Sequence, residues 1–270
     1  MRNPLLNWLF YGHFWIALAA TALSWQSTYL NTGQTGLQRR HLFVFFATLG
    51  VYTLHRLLSY RRAGSHPTGR RYRLVAREPV ASLAVGVGGI MTALVLATAL
   101  PLRTFLPVLA ALPFTAFYLI PLYPGGPRLR DLAYLKVVWV ALAWTLVTDI
   151  FPLGFGHHDF TETGIRFALT LATALFFDTR DVALDRRQGV RTLAGSRPGL
   201  NRWTGLTLLT GCALASFLHY PTVQGSALAL GYLSGVAIGW RTHAGRGEDY
   251  YATWVNGVLL LPPLALYLFA

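Results

Sequence analysis

Asp178-Thr179-Arg180-Asp181-Val182-Ala183-Leu184-Asp185-Arg186-Arg187-Gln188-Gly189-Val190-Arg191-Thr192-Leu193-Ala194 follows an apolar run and decides how the rest of the chain is read. It holds three of only ten acidic residues in a chain of 270. A helix turns about 100° per residue, so carboxylates at i, i+3 and i+7 fall on one face. Like charges placed that way repel. They are kept where a cation neutralises them, and hard carboxylate oxygens suit Mg²⁺, especially Mg²⁺ bound to a phosphate. The plainer alternative is a solvated helix end with local ion pairs between these acids and Arg180 or Arg187.

The surroundings favour the first reading. The chain is 54% hydrophobic and only 12% charged, with a mean hydropathy of +0.43. Crossing a bilayer takes about 20 apolar residues, and such runs recur from end to end. Nine stretches qualify: 7–30, 41–60, 79–99, 103–123, 131–151, 163–179, 203–219, 223–241 and 250–270. One all-α membrane domain over 1–270 is therefore predicted, with Pro262 and Pro263 breaking the last span. The N-terminal stretch has no small-residue cleavage site and reads as a first span rather than a leader. Acids this close to a bilayer are functional by default.

The net charge is +13, and Lys136 is the sole lysine. The basic residues sit in short loops between apolar runs, which points to the positive-inside rule and to phosphate or anionic lipid, not to nucleic acid. With the N-terminus cytoplasmic, 19 of the 23 basic residues lie on the cytoplasmic side. The exceptions are Arg39, Arg40, Arg103 and Arg166. Two basic loops, Arg61 to Glu78 and Asp178 to Arg202, then share that side with the acid cluster. Cys212, alone in an apolar run, excludes a disulfide framework and a cysteine-rich metal site.

Arginine forks next to carboxylates suit diphosphate chemistry: Mg²⁺ and guanidinium groups together neutralise a leaving diphosphate. Arg180, Arg187 and Arg191 are available for this, and Gly189 with Thr192 suggests a helix end followed by a turn that presents backbone donors. Lys136 either meets the same phosphate or snorkels to the interface. Asp149 reads as interfacial, and adjacent His157 and His158 as solvated loop. Trp15, Trp25, Tyr52, Tyr118, Trp139 and Trp144 lie within spans, where they can line a channel or simply pack.

The pattern Asp178-x-Arg-Asp181-x-x-x-Asp185-x-x-x-Gly189-x-Arg-Thr192 resembles the second aspartate-rich motif of the UbiA superfamily of intramembrane prenyltransferases. The nine-span layout and the loop Tyr123 to Lys136 are similar too. The resemblance implies an all-α bundle around a membrane cavity, with Mg²⁺ held by Asp178, Asp181 and Asp185 as the catalytic acids. It implies transfer of a prenyl group from an isoprenoid diphosphate to an aromatic or lipophilic acceptor, at the cytoplasmic face of a prokaryotic inner membrane. The family's first motif, Asn-Asp-x-x-Asp, should fall near 55–62. This chain has His55-Arg56-Leu57-Leu58-Ser59 there and no carboxylate from 41 to Glu78. Arg56 or Arg61 is then expected to take phosphate directly, with His55 as a polar neighbour. A terpene cyclase or lyase of the same superfamily, or a non-catalytic prenyl-lipid binder, is the alternative.

Overall fold

The computed structural model describes residues 3–62, 69–118, 120–156 and 158–270. Among these residues the secondary structure is helical and no strand occurs. In chain order the helices are α1 (Pro4–Tyr11), α2 (Phe14–Thr32), α3 (Arg39–Arg62), α4 (Arg70–Arg77), α5 (Pro79–Ala97), α6 (Leu106–Ala116), α7 (Lys136–Thr145), α8 (Phe151–Leu153), α9 (Phe160–Arg187), α10 (Leu193–Ser196), α11 (Pro198–His219), α12 (Thr222–Trp240), α13 (Glu248–Tyr250) and α14 (Leu261–Phe269). A π-helical stretch, Leu146–Ile150, joins α7 to α8, and a second, Tyr251–Val255, follows α13.

By length and composition, Arg39–Arg61, Pro79–Ala97 and Lys136–Leu153 can each cross a membrane, and α1 with α2 makes a fourth as a span bent by 50°. The outer surface is apolar: Val80, Leu102 and Leu218 are each at least 74% exposed. In water such a surface is a liability, whereas lipid covers it without cost.

Several boundaries differ from the expected spans. The first is not one straight helix. Gly12 and His13 break it, with His13 in the left-handed region at φ 69°. A Cβ at Gly12 would lie 2.4 Å from the Trp8 carbonyl oxygen, so this corner needs glycine. The stretch 103–123 yields a short 3-10 turn, Leu102–Phe105, and then the 11-residue α6, which carries Pro113 and ends by Phe117. The sixth stretch is longer than expected. Its helix runs on to Arg187, so the acid cluster belongs to a continuous helix and not to a loop. Pro262 falls in the first turn of α14 after a break at 258–260, where proline's missing N–H costs nothing.

Two sequence oddities gain explanations. Arg40 donates to the Pro152 carbonyl at the C-terminal end of the Lys136–Leu153 run, where a helix dipole favours a cation. Asp149 is not interfacial. It is fully buried, between Ser27 and Thr163. His157 lies outside the described residues.

Helix α9 packs between α7 and α11, and α3 packs along α5. Gly50 and Gly89 let α3 and α5 approach backbone to backbone: a Cβ on Gly89 would sit 2.9 Å from the Gly50 nitrogen. Gly89→Leu should therefore lower stability by about 1–3 kcal/mol, read as a lower thermal midpoint in detergent. Gly88→Leu, at a position open to its surroundings, should leave it unchanged.

Candidate diphosphate site at the polar end of the cavity

A cavity of about 410 Å³ runs between α2, α3, α6, α7 and α9. That size falls in the range of small-molecule sites. Its walls are mostly aromatic and aliphatic, including Phe43, Tyr52, Phe114, Tyr118, Trp139 and Trp144. Tyr52 accepts a hydrogen bond from Trp144 Nε1 at 2.9 Å, and Phe114 stacks on Trp139. Four of the six aromatic residues singled out in the spans thus line the cavity. Trp15 and Trp25 do not: Trp15 Nε1 donates to the Thr253 carbonyl, and Trp25 stacks on Tyr29.

One end of the cavity is different. Arg56, Arg130, Lys136, Asp178, Arg180 and Asp181 all line it. Lys136 is its pivot. This residue begins α7, where the helix dipole disfavours a cation, and it is buried. Its Nζ lies 2.8 Å from Asp178 Oδ1 and 2.7 Å from Asp185 Oδ2. The ammonium therefore binds two carboxylates one below the other on α9, and neither bulk solvent nor the membrane interface claims it. The snorkelling expectation fails here because the nearest counter-charges lie inward.

Asp178 and Asp181 face the cavity, while Asp185 sits behind Lys136 and is not part of the wall. The Asp185 Oδ1 atom is buried without a hydrogen-bond partner, with Arg130 Nη2 at 3.7 Å. Asp181 takes a two-pronged fork from Arg180, with Nε and Nη2 each 3.0 Å from one carboxylate oxygen. The Arg180 guanidinium also stacks 4.9 Å from the Phe177 ring centre, which fixes the plane of the fork. Asn201 of α11 anchors this part of α9 by donating to the Leu175 carbonyl at 2.8 Å.

The facing wall comes from α3. His55, Arg56 and Ser59 line the cavity there. His55 packs against Tyr118, and the Arg56 guanidinium lies 5.5 Å from the Tyr72 ring centre. Tyr72 belongs to α4, so this short basic helix closes over the polar end. Arg61 is exposed and does not line the cavity.

Arg187 and Arg191 are not brought to this site. Arg187 is exposed in the last turn of α9. Arg191 lines a separate surface groove with Tyr134, Arg186 and Thr192. The chain turns away after Gly189, at φ 70°, and Thr192 caps α10 by accepting from the Gly195 nitrogen. The expected helix end and turn are present, but Arg187 is exposed before the turn and Arg191 follows it into the surface groove.

Sequence reasoning passed over Arg130, whose guanidinium lies 5.8 Å from the Tyr118 ring centre and donates to Gln188 Oε1 at 2.9 Å. The signal lay two residues away, in Arg128-x-x-Asp131. There Arg128 grips Asp131 through Nε and Nη2, each at 2.8 Å, across one tight turn of the loop. Burial pushes the Asp131 carboxyl up, but the bonds from Arg128 outweigh it and hold the group below the usual carboxylate range.

No family model and no curated protein matches this sequence. Its fold is shared with solved structures. A UbiA homolog from Archaeoglobus fulgidus bound to DMAPP and Mg²⁺ superposes with a TM-score of 0.66 at 14% identity, covering 98% of both chains. The same homolog bound to GPP and Mg²⁺ gives 0.66 at 14% identity, over 96% of this chain and 98% of that one. A further structure of the homolog gives 0.64 at 15% identity, over 97% and 98%. The fold is UbiA-like along the whole chain.

Lys136→Met should strand Asp178 and Asp185 as buried carboxylates. Breaking a buried pair in this way costs about 3–5 kcal/mol. The expected result is a large drop in thermal midpoint at neutral pH.

Proposed function

We propose that the cavity binds an isoprenoid diphosphate, with the diphosphate at the polar end and the prenyl chain along the aromatic walls, and transfers the prenyl group to an aromatic or lipophilic acceptor. One observation carries this reading: carboxylates and four cations gather at one end of an otherwise apolar cavity, in a fold whose solved counterparts are bound to DMAPP or GPP with Mg²⁺. A prenyl diphosphate has the same polarity, with a highly charged head on a hydrocarbon tail.

The donor chemistry at Asp178, Asp181 and Asp185 fits Mg²⁺, because all three offer hard oxygens and Asp185 Oδ1 lacks a hydrogen-bond partner. Among the described residues no three ligating side chains converge into a ready cage, since Lys136 lies between Asp178 and Asp185. When bound, the ion supplies Lewis-acid neutralisation of the leaving diphosphate. The chain's own residues do the rest. Lys136, Arg130 and Arg180 offer donors to phosphate oxygens, and the carboxylates they now hold keep them oriented beforehand. Arg56 meets the diphosphate from α3, standing where the resembled first motif has a carboxylate. That wall contributes positive charge through a guanidinium group, while His55 and Ser59 add polar contacts. Arg187 and Arg191, outside the cavity, are left to the surface, where they suit anionic lipid head groups. The aromatic walls exclude water and turn their electron-rich faces toward a developing allylic cation. The apolar helices suit an integral membrane protein, and the distribution of arginines supports the reading of a prokaryotic inner membrane with the N-terminus and the polar end cytoplasmic.

The test is to incubate purified protein with DMAPP and GPP, with and without Mg²⁺ and an aromatic acceptor. Diphosphate release that requires the acceptor is the expected result. Release without acceptor would mean cyclisation or hydrolysis, and binding with no release in any condition would mean a non-catalytic prenyl-lipid binder. Arg56→Ala should weaken diphosphate binding about tenfold to a hundredfold, because a hydrogen bond to a charged group contributes roughly 1.5–3 kcal/mol. Arg187→Ala should leave that affinity unchanged, and equal losses in both variants would remove Arg56 from the site.

A further inference from the structure

The surface groove beside the end of α9 is a second pocket, of about 400 Å³, and it shares no lining residue with the cavity. Its charge is one-sided. Arg186 and Arg191 line it, and no carboxylate does. Among the described residues neither guanidinium has an ion pair, a hydrogen bond or a ring to rest on. Other arginines of the chain are held: Arg70 by Asp249, Arg128 by Asp131, Arg130 by Gln188 and Arg180 by Asp181. Asp185, next to Arg186 in the chain, is committed to Lys136. Two unpaired guanidinium groups in one concave site, without an acid, attract an anion.

The groove is anchored before any ligand arrives. The Tyr134 N–H donates to the Arg191 carbonyl at 3.1 Å, and the Val190 N–H donates to the Asp185 carbonyl at 2.9 Å. Val190 and Thr192, on either side of Arg191, are buried, so the strand of chain that carries Arg191 is pinned from beneath. Tyr134 sits in the left-handed region at φ 64°, which is uncommon for a bulky residue and persists where the surroundings impose it.

The lining is graded as well. Val182 lies one helical turn before Arg186 on the same face of α9, toward the apolar run of that helix. Tyr134 and its neighbour Leu135 are at least 41% exposed, and tyrosine is enriched where a membrane meets water. Passing outward along the groove, apolar side chains come first and guanidinium groups follow. A phospholipid has the same order, with acyl chains, then glycerol, then phosphate. Free inorganic phosphate would suit the two guanidinium forks but would leave Val182 and Tyr134 without a role.

We propose that this groove binds the head group of an anionic phospholipid, with Arg186 and Arg191 on the phosphate oxygens and Val182 and Tyr134 against the glycerol end. Arg187 is exposed and outside the groove, so it adds only diffuse attraction to a charged surface.

Native mass spectrometry of the full chain in a neutral detergent tests this by counting bound lipid during titration. The probes are short-chain phosphatidylglycerol, phosphatidylcholine with the same chains, and inorganic phosphate as competitor. Phosphatidylglycerol should fill one site ahead of phosphatidylcholine. Arg186→Gln with Arg191→Gln should weaken that site about tenfold or more, and both side chains are exposed, so the fold should survive. Arg187→Gln removes one charge outside the groove and should change the affinity less than about twofold. Equal weakening in the Arg187 variant, or equal binding of the two lipids, would overturn the assignment. Displacement of the lipid by inorganic phosphate at matching concentration would overturn it too, in favour of a free phosphate.

Discussion

Lys136 bound between Asp178 and Asp185 is the contact on which the polar end depends. It joins the start of α7 to the last three turns of α9, and no other buried cation lies between those carboxylates among the described residues. Its consequence is preorganisation. The ammonium, the Arg180 fork and Arg130 are fixed in place by carboxylates before any ligand arrives, so little reorganisation remains when charge enters the cavity. The same contact sets a competition: whatever anion binds must offer Lys136 at least what two buried carboxylates already give it.

The cavity is also asymmetric. Cations and carboxylates stand at one end, and aromatic walls follow. The cluster at that end balances its carboxylates with Lys136, Arg130 and Arg180. An anionic ligand is thus directed to one end by electrostatics, and an apolar tail is directed along the walls by burial.

Much of this was legible in the sequence. Asp178, Asp181 and Asp185 stood out because acids are scarce here and their spacing matches a helix face, and the apolar runs marked the helices. The substitution of His55, Arg56 and Ser59 on the opposite wall was equally plain, since it breaks a short local pattern. The rest depended on contacts far apart in the chain. Ser27 and Asp149 are 122 residues apart, and Ser27 and Arg166 are 139 apart. Each alone resembles an ordinary polar residue near a span end, and only packing brings them into contact. Arg187 and Arg191 erred the opposite way. Proximity in sequence suggested a shared site, but Arg187 is exposed in the last turn of α9 and the αL turn at Gly189 leads Arg191 into a separate surface groove. The bend at Gly12–His13 had no periodic signal, because a corner is set by backbone sterics and not by the hydrophobic pattern.

The most direct test of the central claim is a structure of the protein with Mg²⁺ and a non-ionisable prenyl diphosphate analogue. The account predicts the diphosphate between the Asp178–Asp181 face of α9 and Arg56 of α3, with Lys136 turned from its carboxylates to a phosphate oxygen and the prenyl chain against Tyr118, Trp139 and Trp144. A diphosphate bound in the Arg186–Arg191 surface groove, with Lys136 still bridging Asp178 and Asp185 and the cavity empty, would contradict it.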